Sequence, residues 1–149
     1  MTNFLELSAV HDATDRSMEL ELKFLCDGFS GQGMAYFNAT HLLSIAESLR
    51  TFPLPSEVPI TVEGGYFEPE QVDVLRERHV LLRFAAGKSS PVELHVGAGV
   101  AWDHQQGLRR WAEATFLIDY EQLSVLSRAI ESLAMAKEST VKVDLPTFR

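Results

Sequence analysis

The chain holds a single cysteine, Cys26, so no disulfide can form within it. Small secreted domains usually rest on several such bridges, and a reducing, cytoplasmic setting is the expectation. Nine glycines and six prolines in 149 residues are too few for collagen-like repetition or low-complexity linkers. No apolar run approaches the ~18–20 residues that a membrane-spanning helix needs, and the opening Met1-Thr2-Asn3-Phe4-Leu5-Glu6 has no basic region of the kind that begins a secretory signal. Basic residues are scarce too: the one adjacent pair is Arg109-Arg110, which is no phosphate-binding surface and excludes nucleic acid as the expected partner. The five histidines (His11, His41, His79, His95, His104) have no HExxH spacing and no cysteine pair beside them, so neither a metal nor another cofactor is expected.

What is present is a hydrophobic content of 46% and a formal charge of −8. A chain of this length can bury roughly 68–70% of its unfolded surface as one domain spanning 1–149. The charge is uneven. Residues 1–78 carry thirteen acids against five bases, whereas residues 79–149 carry eight of each. From Glu57 to Glu77 there are six acids (Glu57, Glu63, Glu68, Glu70, Asp73, Glu77) and only Arg76 against them. Gathered on one face, these carboxylates would draw in a basic partner and speed its encounter at low salt; dispersed, they merely keep the surface solvated.

Alternation at Met18, Leu20, Leu22, Phe24 and Cys26 predicts a half-buried strand, with Asp27-Gly28 and the glycines to Gly33 as the turn into a return strand at about Met34–Phe37. Asn38 then caps a helix whose apolar face is Leu42, Ile45, Leu49 and Phe52, stopped by Pro53 and Pro55. The second half repeats this grammar. Val80–Phe84 and Val92–Val96 form a hairpin, a long loop Gly97–Arg110 leads to a strand at about Ala112–Ile118, and Asp119 with Gln122 caps a helix faced by Leu123, Leu126, Ile130 and Leu133. A shift of 81 residues superposes the two caps and both stripes without a gap, which suggests a duplicated strand-strand-helix unit with halves at about 18–52 and 79–133. Four prolines lie between the halves, but so do Leu54, Val58, Ile60, Val62, Tyr66 and Phe67, which is too much apolar surface for a linker. A short strand at Ile60–Glu63, turning at Gly64-Gly65, fits better, with edge strands expected at Phe4–Leu7 and Val141–Val143. The expected class is α+β: a mostly antiparallel sheet with two helices packed on one face.

Catalytic signals are weak. Cys26 sits in the buried phase of its strand, where a thiol is inert, and Gly28–Gly33 lacks the lysine of a phosphate-binding loop. Glu19 and Glu21 are ordinary neighbours on a solvated face. The Trp102-Asp103-His104 cluster in the long second loop unites an aromatic, an acid and a histidine, a composition suited to binding. Beside the acidic stretch, Gly64-Gly65-Tyr66-Phe67-Glu68 offers exposed aromatics of the same kind, unless its rings belong to the core. The candidate partner-binding residues are therefore Glu63, Tyr66, Glu68, Glu70, Asp73, Trp102, Asp103 and His104.

The span from Leu22 through the Asp27-Gly28-Phe29-Ser30-Gly31 turn to Phe37, the helix ending Ala46-Glu47-Ser48-Leu49, the Phe52-Pro53 stop and the late Tyr120-Glu121-Gln122-Leu123 helix resemble uncharacterised bacterial proteins related to the WapI-type immunity family. A tryptophan associated with the second strand of such proteins is absent here. The resemblance covers about residues 18–133 and implies a cofactor-free protein that binds and neutralises a basic toxin domain without catalysis. The residues themselves leave two other readings open: a small enzyme whose site gathers Asp27, His95 and His104 from separate segments, and a homodimer joined through an edge strand or open sheet face.

Overall fold

The computed structural model describes residues 2–71, 73–88, 90–103 and 108–146, with side chains for all of these except 100–103 and 108. In chain order the elements are β1 (Asn3–His11), β2 (Ser17–Cys26), β3 (Phe29–Asn38), α1 (Ala39–Ser48), β4 (Ile60–Phe67), β5 (Leu75–Ala86), β6 (Val92–Asp103), β7 (Leu108–Ile118), α2 (Tyr120–Ala134) and β8 (Thr140–Leu145). The fold is α+β and mostly sheet. Its strands divide between two four-stranded antiparallel sheets, ordered β3-β2-β1-β8 and β4-β5-β6-β7, rather than continuing as one.

Each element forms where the local chemistry asks for it. β2 alternates half-buried and buried residues along its whole length, and its buried set Met18, Leu20, Leu22, Phe24 and Cys26 is the one the alternation predicts. Asp27 and Gly28, both at positive φ, make the two-residue turn into β3. The Asn38 side chain accepts from the Thr40 backbone N–H at 2.8 Å and starts α1. Asp119 and Gln122 form a complete capping box on α2.

Several expectations need correction. α1 closes at Ser48 with Leu49 as its C-cap, a turn before Pro53, so Phe52 lies beyond the helix, exposed, with its ring edge-on to Tyr120. Gly31 and Gly33 are strand residues of β3, not turn residues. Their lack of a side chain lets β3 cross the second sheet closely: a Cβ on Gly33 would strike the His79 carbonyl oxygen and stand 2.6 Å from that of Gly99. The long second loop is largely strand, since β6 and β7 extend to Asp103 and from Leu108. Gly64-Gly65 is a bulge within β4 instead of a turn, because the register slips there and leaves His79 unmatched on β5. β1 is interior, between β2 and β8, and of the two terminal strands only β8 is at an edge.

The order β-β-β-α-β occurs twice, over 3–67 and 75–145, and so extends beyond the strand-strand-helix unit. In each half the last strand leaves its own sheet: β4 pairs with β5, and β8 pairs with β1. The helices meet at residues that are themselves 81 positions apart. The Ser127 hydroxyl donates to the Ala46 carbonyl at 2.7 Å, and Arg50 pairs with Glu131, as equivalent positions must where a pseudo-twofold axis passes between them. One hydrophobic cluster joins both sheets and both helices, with Phe24, Phe84 and Phe116 at its centre. Each such ring withdrawn from water contributes roughly 1.5–3 kcal/mol.

Candidate partner-binding surface

β4 is an edge strand, and it pairs with β5, which begins at Leu75. Three backbone bonds hold the turn between them: Glu68 N–H to the Val74 carbonyl at 2.8 Å, Val74 N–H to Gln71 at 2.9 Å, and Gln71 N–H to Glu68 at 3.2 Å. Phe67 pairs with Leu75 at the end of the ladder, and the first bond sets Glu68 against Val74; Phe67 and Val74 are both 43% exposed and Tyr66 59%. An apolar edge of this kind is costly to leave in water and marks contact surfaces. Around it stand Glu63, Glu70 and Asp73, all exposed, and the half-buried Glu68.

Of the basic residues that follow, Arg78 is directed to Trp111, its guanidinium carbon 5.8 Å from the ring centre. The bulge explains Tyr66. Gly65 pairs with Arg78 and Tyr66 with Glu77, one residue out of step with the Gly64–Val80 pair, and a Cβ at Gly65 would collide with the Glu77 carbonyl. The displaced ring of Tyr66 packs edge-on against the imidazole of His79, with centres 4.7 Å apart. His79 is 7% exposed, and its Nε2 has no hydrogen-bond partner among the described residues; the Glu77 carboxylate faces it at 3.7 Å.

The second surface lies on the face of β5-β6-β7 away from the core. Val92, Leu94, Val96 and Ala98 point inward, so His95, Gly97 and Gly99 point outward. The Trp111 indole lies across both glycines, 2.8 Å from where a Gly99 Cβ would be, and roofs the position where Leu81 pairs with Gly97. Leu81 is 1% exposed although it belongs to no part of the main cluster. The indole N–H donates to Glu113 at 3.2 Å; His95 meets the same carboxylate through Nε2 at 3.1 Å and the Thr115 hydroxyl through Nδ1 at 2.8 Å. The hydrogen bonds from His95 and then Trp111 hold the Glu113 carboxyl below the ordinary range, against a small opposing effect of burial.

Hydroxyl, imidazole and carboxylate in sequence echo a nucleophile with its base and orienting acid. Here, however, Thr115 and Glu113 are neighbours two apart on one exposed strand, with His95 directly across from Thr115. A reactive triad needs a water-excluding cleft and donors for a developing oxyanion. A small apolar cavity lies elsewhere, between the two sheets and the helices, lined by Leu7, Leu20, Val62, Leu82 and Ile130.

The residues singled out from sequence are thus partly assembled. Glu63, Tyr66, Glu68, Glu70 and Asp73 lie along β4 and its turn. Trp102 and Asp103 are in β6, and their side chains, like all of His104, lie outside the described residues. Asp27 and His95 are not gathered into one site: the Asp27 backbone N–H is held by Asn3 in the first sheet, while His95, among the described residues, bonds to Thr115 and Glu113 in the second. Burial, and then the charge of Asp27, pushes the Cys26 thiol up. Val74 and His79 were missed: Val74 carries no distinguishing local signal, and His79 acquires its place from a bulge that none announces. Among the described residues no cluster of side chains suited to a metal occurs, and no helix is long and apolar enough to cross a membrane. No family model, curated protein or solved structure matches the chain.

Proposed function

We propose that the protein is a non-catalytic protein-binding module that engages a basic partner through the β4 edge and its turn, in the manner of an immunity protein that caps a cationic toxin domain. The observation that carries this reading is the exposed Tyr66, Phe67 and Val74 edge set among Glu63, Glu70 and Asp73. Aromatic anchors within a charged rim are how interfaces divide the work: the rings supply contact area, and the charges supply steering and register.

Reversing Glu68, Glu70 and Asp73 to lysine leaves the core untouched and removes the attraction. Tagged wild-type and triple-reversal proteins, exposed to the organism's own lysate at low salt and eluted on a salt gradient, test it. A basic protein retained by the wild type and lost by the reversal variant is the expected result, with an on-rate at least about tenfold slower for the variant at low ionic strength. Equal retention by both proteins removes this surface from consideration.

A further inference from the structure

Within the acidic edge, one spot has a feature that the remainder lacks. His79 is almost wholly buried, yet its Nε2 makes no hydrogen bond among the described residues. The Glu77 carboxylate stands 3.7 Å from it, within ion-pair range but too far for a hydrogen bond. The Tyr66 ring closes the third side, edge-on to the imidazole. Buried polar atoms in folded proteins are nearly always satisfied, so an orphan nitrogen asks what completes it.

We propose that Tyr66, Glu77 and His79 form the anchor for one cationic side chain, a lysine or arginine, of the basic partner; this rests on the reading of β4 and its turn as the binding surface. The three groups share one requirement. A carboxylate only accepts hydrogen bonds, an imidazole nitrogen that carries no proton accepts one too, and a tyrosine ring presents the negative face of its π-system. All three are completed by a donor carrying positive charge, and a neutral hydroxyl or an anion suits none of them as well. The cover is movable: Tyr66 sits on an edge strand just past the bulge and is more than half exposed. Turning the ring outward lets an incoming chain reach Nε2 and lays its charge beside the aromatic face. Nearby Arg78 does not fill the spot, because its guanidinium is directed to the Trp111 ring.

The test is a titration of the full chain, uniformly labelled with nitrogen-15 and carbon-13, with the blocked peptide acetyl-Gly-Arg-Gly-amide to millimolar concentration, followed by NMR. The same peptide with citrulline, the neutral isostere of arginine, is the control. The expected result is a saturable shift of the His79 Nε2 resonance and the Tyr66 ring signals with the arginine peptide alone. Glu77→Gln should weaken it at least fivefold. Tyr66→Ala, at an exposed position that leaves the core intact, should weaken it as well and covers the case in which the Glu77 variant fails to fold. If the arginine peptide perturbs Glu68, Glu70 and Asp73 while the His79 imidazole does not move, the anchor is overturned and the acidic surface stands. If the citrulline peptide shifts His79 equally, or if no resonance moves, the anchor is likewise overturned. The capture experiment with the triple reversal then judges the surface independently.

Discussion

Asn3 shows how much one buried polar residue can organise. Its amide Nδ2 donates to the Pro146 carbonyl at 2.9 Å and to Asp27 at 3.3 Å, while its Oδ1 accepts the Asp27 backbone N–H at 2.9 Å. The start of the chain, the β2–β3 turn and the end of β8 are thereby tied at one point. Asn3→Ala should cost about 2 kcal/mol in urea unfolding, because it strands the turn's N–H in a part-buried place. Glu113 gives a pH signature instead. Hydrogen bonds from His95 and Trp111 depress its folded pKa, so its contribution to stability is present above the unfolded carboxylate value of about 4.3 and is lost as pH falls through the depressed one. About half exposed, it contributes only about a few tenths of a kcal/mol. The stability gap between wild type and Glu113→Gln, measured by urea unfolding at stepped pH, should close on acidification; a gap that widens would contradict the assignment.

At the level of elements, the caps and the crossing of β3 set the energetics. Asp119→Ala removes half of a capping box and should lower stability by about 1 kcal/mol. Gly33→Ala should cost about 3 kcal/mol, since its new methyl meets backbone atoms of His79 and Gly99 that cannot swing aside. Thermal or urea unfolding checks both. The contrast also separates what was legible in the residues from what was not. Alternation at Met18–Cys26, both N-caps and the helix stripes are local signals, and they place β2, α2 and the start of α1 almost to the residue, while the end of α1 falls a turn short of the expected Pro53 stop. Gly31 and Gly33 carry no local mark that distinguishes a turn from a close crossing. Nor does anything near Phe4–Leu7 say that the strand lies between β2 and β8, because its second partner is more than 130 residues away. The candidate surface divides in the same way. Its acids and Tyr66 were visible as composition, but the His95–Glu113–Thr115 cluster and the burial of His79 depend on cross-strand register and a bulge.

For the whole molecule, the governing feature is the exchange of last strands between halves. β4 has no place in the sheet of its own half, and β8 fills the position beside β1 that β4 occupies beside β5. A fragment of residues 2–71 therefore lacks an edge for β1 and a partner for β4. Two copies supply both, each giving its β4 to the other's β1 across the axis that Ala46 and Arg50 mark in the intact chain. Analytical ultracentrifugation should find this fragment folded as a dimer; a folded monomer would show that β4 can turn back on its own sheet. The same pairing of β1 with β8 decides how the molecule answers a mechanical load. Asn3 stands opposite Leu145 in an antiparallel pair, so tension applied at these two points pulls crosswise on one ladder bond at a time. The seam opens like a zipper at low force instead of shearing all its bonds together, with Asn3 as the pull-tab that must yield first.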